Sequence, residues 1–113
     1  MNSSITTHVL DTSLGRPAQG VGVTLEMEAG DGWRLIGQGS TDPDGRLLDL
    51  VASGHVSEGK YRLRFDTGAY FAGRQIQTFY PMVEIIFTVR DASIHHHVPL
   101  LLSPYGYTTY RGS

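Results

Sequence analysis

The chain has 113 residues, 40% of them hydrophobic and 18% charged, a size and balance that fit one compact domain over residues 1–113 and leave no room for a second core. It contains no cysteine, which excludes disulfides and thiolate metal sites. A formal net charge of -2 leaves no electrostatic footprint for nucleic acid or an anionic membrane.

The distribution of charge says more than its sum. Lys60 is the single lysine, so nearly all positive charge sits on arginine, the side chain suited to planar, bidentate recognition of a small polar or anionic ligand. The opening residues lack a cationic start followed by an apolar run, and no segment approaches the roughly 20 apolar residues of a membrane span. The expected compartment is the cytoplasm, although a removed export signal would leave no trace.

Residues 5–10 alternate Ile5, Thr7 and Val9 against Thr6, His8 and Leu10, which predicts a first strand, and Leu14 to Gly20 then form a loop. Residues 22–28 set Val23, Leu25 and Met27 against Thr24, Glu26 and Glu28, a second strand with one apolar face. Gly30, Asp31 and Gly32 turn the chain into a third, at residues 33–41. Asp42, Pro43, Asp44 and Gly45 make a strong turn, with proline presetting φ and glycine accepting a positive φ. Arg46 leaves that turn held by it, with its guanidinium free to reach outward.

Residues 47–51 read as a short strand or edge piece, broken at Ser53, Gly54 and His55. Tyr61, Leu63 and Phe65 alternate with Lys60, Arg62 and Arg64 in a half-buried strand. Residues 67–75 are the one expected helix, about two turns long, with Thr67 as its cap. Residues 83–89 are densely apolar and β-branched, which suits a strand buried on both sides or in an interface. Residues 94–102 and 107–111, joined by a turn at 103–106, complete seven or eight strands, the pattern of a sandwich or barrel.

Alternation also points to chemistry. In residues 94–102 the even positions read as core, so His97 projects away from it, and His8 lies opposite Ile5, Thr7 and Val9. His95 reads as a bystander and His55 as ordinary surface. Adjacent strand residues face opposite ways, so of His95, His96 and His97 at most the first and last could share an ion, and no metal is expected. No Gly-x-Ser-x-Gly elbow is present, and without cysteine the other common nucleophile is missing too.

The most specific residues lie at the C-terminus. HVPLLLSPYGYTTYRGS, His97 to Ser113, closely resembles the terminal signature of the 5-hydroxyisourate hydrolases, the enzymatic branch of the transthyretin-like family. HVLDTSLGRPAQGV, His8 to Val21, is similar to that family's opening strand and loop, and TDPDGR, Thr41 to Arg46, to its internal motif. Two departures are His96, where the family commonly has tyrosine, and Thr108, where it often has serine.

The resemblance implies an all-β, transthyretin-like (prealbumin-like) Greek-key sandwich of eight strands in two four-stranded sheets, with one short helix, assembled as a homotetramer, a dimer of dimers. It implies a hydrolase of urate degradation that opens 5-hydroxyisourate to 2-oxo-4-hydroxy-4-carboxy-5-ureidoimidazoline without metal or organic cofactor. Carried over by motif, the catalytic residues are His8, Arg46, His97 and Ser113. Arg46, Tyr110, Arg111, Gly112 and Ser113 would hold substrate in a channel between dimers. A carrier of the same fold would want an open, apolar channel, against which the two histidines, Arg46, Tyr110 and Arg111 all count. A generic sandwich interaction module would be monomeric and indifferent to loss of its tail.

Overall fold

A computed structural model describes residues 4–51 and 56–113. The described elements run β1 (Ile5–Asp11), β2 (Arg16–Pro17), β3 (Gly22–Ala29), β4 (Gly32–Ser40), β5 (Arg46–Leu47), β6 (Gly59–Phe65), α1 (Thr67–Gly73), β7 (Val83–Val89), β8 (His96–Ser103) and β9 (Gly106–Thr109). One sheet has the order β2-β1-β8-β9 with β5 also paired to β1; the other has the order β4-β3-β6-β7. The pairing of β1 with β8 is parallel and every other one antiparallel.

The two sheets share one core because each strand alternates. Ile5, Val9, Leu100 and Leu102 of the first sheet and Val23, Leu25, Leu63 and Phe65 of the second are all buried in a single cluster, each such side chain stabilising the fold by about 1.5–3 kcal/mol relative to exposure. On the far side of the second sheet the intervening positions pair charges, Arg62 with Glu26 at 2.8 Å and Arg64 with Glu84 at 2.8 Å. Among the described residues, no helix is long and apolar enough to cross a membrane.

Several expectations are corrected. β7 is not buried on both sides: Val83, Ile85 and Val89 face the core while Glu84 and Thr88 are exposed and Ile86 is 59% exposed. Among the described residues nothing covers Ile86 on the strand's outer face. The helix cap is Asp66, whose carboxylate accepts from the Ala69 N–H, rather than Thr67, which is buried and donates to the Tyr80 carbonyl. Residues 47–51 contribute only Leu47 to a strand, and the last strand stops at Thr109. The arginine–proline pair of β2 adds a short strand that the loop reading missed, and Ile94 lies outside β8, 40% exposed. The turn expected at Ser53, Gly54 and His55, and the surface reading of His55, lie outside the described residues.

Asp11, at the end of β1, ties the first sheet to the helix by accepting from the Tyr70 hydroxyl at 2.7 Å and from the Ser13 and Leu14 N–H groups. Burial alone would raise the carboxyl pKa; the hydrogen bonds from Ser13, Tyr70 and Leu14 outweigh it and hold Asp11 below the usual carboxylate range. The Tyr70 hydroxyl is pushed up to about 12, first by its burial and then by this bond to Asp11.

The turn before β5 is docked on β1. Asp42 accepts from the Asp44 and Arg46 N–H groups at 2.9 Å, and the Gly45 carbonyl accepts from the Val9 N–H at 2.7 Å. Gly45 has φ 76°, and a Cβ there would lie 2.4 Å from the Val9 carbonyl oxygen. Gly45→Ala is therefore expected to cost about 2–4 kcal/mol, combining a left-handed backbone with a backbone clash. Urea unfolding would check it through a lowered midpoint at unchanged slope.

Candidate active site

Strand register brings distant residues together on the outer face of the first sheet. Thr6 lies opposite His97 and His8 opposite Pro99 across the parallel β1–β8 pairing, while His8 lies opposite Arg46 in the β1–β5 pairing. Residues directly opposite project to the same side of a sheet, and Thr6 and His8 are two apart on one strand. Thr6, His8, Arg46 and His97 consequently share one face, turned away from Ile5 and Val9.

The environment of each group sets what it can do. The His8 Nε2–H donates to the Asp44 carbonyl at 2.9 Å, because a carbonyl oxygen only accepts. In neutral His8 the remaining nitrogen, Nδ1, is therefore the one that carries a free lone pair. Arg46 is exposed, its backbone N–H is fixed by Asp42, and its guanidinium has no hydrogen bond or ion pair among the described residues. A planar fork is thus presented to the open face.

His97 is half-buried, and its Nδ1 lies 2.8 Å from the Thr6 hydroxyl. Its pKa is below the ordinary 6.5, first because burial disfavours the imidazolium and then because positive charge on His95, His8 and Arg46 repels a further proton. That electrostatic influence is also evidence of proximity: the three groups are close enough to act on one ring. At neutral pH His97 is an uncharged base.

The chain's tail returns to this ring. The Gly112 N–H donates to the His97 carbonyl at 2.8 Å, forming an isolated bridge. A Cβ at Gly112 would lie 2.7 Å from His97 Cδ2, so only glycine lets the tail lie against the imidazole. Tyr110 and Arg111, with His97, line a cavity of about 430 Å³ that reaches between the sheets to Phe87 and His96. Ser113 is exposed and makes no hydrogen bond among the described residues. The structure thus brings together His8, Arg46, His97 and Gly112 and sets Tyr110 and Arg111 beside His97 along the cavity, with Ser113 exposed at the end of the tail after Gly112.

His95 reaches the same cluster. Its Nε2 lies 2.7 Å from the same Thr6 hydroxyl that meets His97, and the two imidazole centroids are 6.2 Å apart. His96 points the other way, 7% exposed, with a buried Nδ1 that has no hydrogen-bond partner.

An all-β sandwich with an imidazole, a second imidazole and a guanidinium on one sheet face defines a class suited to acid–base chemistry on a small polar molecule. The chain belongs to the HIUase/Transthyretin family, whose model matches residues 5–112. It is 44% identical over 112 residues to the 5-hydroxyisourate hydrolase of Salmonella dublin, covering 99% of this chain and 82% of that protein. Among solved structures, Klebsiella pneumoniae 5-hydroxyisourate hydrolase superposes with a TM-score of 0.85 at 35% identity, over 96% of this chain and 98% of that one. Sea bream transthyretin in complex with thyroxine superposes with a TM-score of 0.90 at 32% identity, over 96% and 94%.

Proposed function

We propose that residues 1–113 act as one domain that hydrolyses 5-hydroxyisourate to 2-oxo-4-hydroxy-4-carboxy-5-ureidoimidazoline in urate degradation. The observation that carries this is the grouping of His8, Arg46 and His97 on one sheet face, with the His97 pKa held below 6.5 first by burial and then by the charge of its neighbours, in a chain 44% identical over 112 residues to a 5-hydroxyisourate hydrolase. A binding protein has no use for a base poised in this way.

The reaction opens a cyclic amide. Water must lose a proton as its oxygen attacks the carbonyl carbon, negative charge must be stabilised on the tetrahedral oxygen, and the departing ring nitrogen must gain a proton as the C–N bond breaks. His97 accepts the proton of water at Nε2, since Nδ1 is engaged with Thr6. Arg46 binds the urate-like oxygens and the developing oxyanion through its fork. His8, anchored through Nε2 to Asp44, relays through Nδ1 to the leaving nitrogen the proton that His97 took from water, so that both imidazoles end the cycle neutral. Tyr110, Arg111, Gly112 and Ser113 close the site, Gly112 by seating the tail against His97.

The assembly in this reading is a homotetramer, a dimer of dimers. Support comes from β7 and β9, each the terminal strand of its sheet, from the uncovered Ile86 beside one of those edges, and from the site's position on an open sheet face rather than in a pocket closed by one chain.

Generating the unstable substrate in situ with urate oxidase and following its ultraviolet band tests the activity. The band should decay faster with this protein than in the uncatalysed control, and removing residues 110–113 should abolish the acceleration while gel filtration still reports a tetramer. An unaccelerated decay with the intact protein would favour a carrier role instead.

A further inference from the structure

Thr6 carries one hydroxyl proton yet sits between two imidazole nitrogens, His95 Nε2 at 2.7 Å and His97 Nδ1 at 2.8 Å. A hydroxyl can donate to only one of them, so the other ring must donate to it. Two arrangements satisfy both bonds. In one, the His97 Nδ1–H donates to Thr6 and Thr6 donates to His95, which leaves His97 Nε2 with a free lone pair. In the other, the His95 Nε2–H donates to Thr6 and Thr6 donates to His97 Nδ1, which puts the His97 proton on Nε2.

Thr6 is fully buried near the start of the β1–β8 pairing, where its hydroxyl is shielded from solvent. The tautomers of His95 and His97 are therefore coupled, and a base acting through Nε2 requires the first arrangement. We propose that Thr6 and His95 are positioning residues: the Thr6 hydroxyl sets which nitrogen of His97 holds the proton, and protonation of His95 reverses it. This rests on the hydrolase reading, in which His97 takes the proton of water.

Acid acts through a defined sequence. When His95 takes a proton on Nε2 it must donate to Thr6, whose own proton turns to His97 Nδ1; the His97 proton is then held on Nε2, and the lone pair that faced the substrate is lost. No bond to carbon changes, and each proton moves only between nitrogen, the Thr6 oxygen and solvent. Among the described residues, His8 on β1, Arg46 on β5, Arg90 and Asp91 after β7, His95 just before β8, His96 at its start, and Tyr110 and Arg111 in the tail are the charged or titratable groups around His97. Of these, only His95 meets Thr6 by hydrogen bond.

The test combines nitrogen NMR of histidine-labelled protein, from about pH 5 to about pH 8, with steady-state kinetics on wild type, Thr6→Val, Thr6→Ser and His95→Phe. Wild type should hold His97 as the Nδ1–H tautomer at neutral pH and switch it as His95 titrates. Thr6→Val should mix the tautomers and lower kcat by about ten- to a hundredfold with KM little changed, since a wrongly protonated imidazole cannot act as base. Thr6→Ser should restore both. His95→Phe, at an exposed position, should remove the acid switch of the tautomer without unfolding the chain. Unchanged His97 tautomer and kcat in Thr6→Val, or an intact switch in His95→Phe, would overturn the proposal. Tautomer coupling in a wild-type protein that fails to hydrolyse the substrate would overturn the hydrolase reading and leave the coupling standing.

Discussion

Arg46→Ala lowers kcat by about 10²- to 10³-fold, the loss expected when one preorganised donor to an oxyanion is removed, and leaves the fold intact. Stability is spared because Arg46 is tied into the protein through its backbone: its N–H donates to the Asp42 carboxylate and its carbonyl accepts from the Asp42 N–H. The side chain contributes neither of those bonds. Removing the guanidinium has a second signature. Arg46 is one of the charges that depress the His97 pKa, so the acid limb of the residual activity should move to higher pH. Lysine at this position should recover the electrostatic part and little of the turnover, since an ammonium offers no planar fork. Circular dichroism, gel filtration and a pH–rate profile check the three parts; near-normal kcat in Arg46→Ala would remove it from the site.

His97→Gln is expected to lower kcat/KM by about 10²- to 10⁴-fold, the usual contribution of a positioned general base. In the wild type, the limb along which kcat/KM falls with acid should lie below pH 6.5, because the folded pKa of His97 is lower than that value. The same shift links to stability with a definite sign. His97 favours its neutral form in the fold, so above the unfolded value of 6.5 its contribution is fully present. As pH falls below that value the unfolded chain takes up the proton first, and the contribution is lost as pH falls through the folded pKa. Denaturant melts of wild type and His97→Gln should therefore converge as the solution is acidified. In His95→Phe, where the neighbouring ring no longer contributes, an acid limb at or above 6.5 would contradict the depressed pKa.

Much of the fold could be read from alternation because the sandwich has one core and each long strand has one face on it. β3 and β6 follow their apolar and polar positions closely, with Val23, Leu25, Leu63 and Phe65 inside and Glu26, Arg62 and Arg64 outside. The turn at Asp42 to Gly45 was legible because proline and glycine act locally. β7 misled for a physical reason. Val83, Ile85 and Phe87 share its inner face, but Ile86 makes the run look buried on both sides, and a single chain offers nothing to cover it. The helix cap was misplaced by one residue because Asp66 and Thr67 both carry capping oxygens, and only the packing that buries Thr67 decides between them.

The site was half legible. His8 and His97 stood out as polar positions on the outward side of apolar strands, and Arg46 as the first residue beyond a rigid turn. That these three meet depends on the parallel pairing of β1 with β8, which joins residues some ninety positions apart and leaves no local pattern. Thr6 and His95 went unnoticed for the same reason. A threonine in a strand is ordinary, and His95 precedes β8, where alternation no longer tells which way a side chain points. The clue available in the sequence was the repeat of histidine at 95 and 97 together with Thr6 two residues before His8 on one strand face.

The central geometrical claim is best tested by a crystal structure with a non-hydrolysable urate analogue bound to the intact protein. The account predicts the analogue on the outer face of the first sheet, a carbonyl oxygen on the Arg46 guanidinium and the reacting carbon's neighbourhood facing His97 Nε2, with a tail from this or a neighbouring subunit closing over it. An analogue seated only between the sheets beside Phe87 and His96, with Arg46 and His8 untouched, would contradict it.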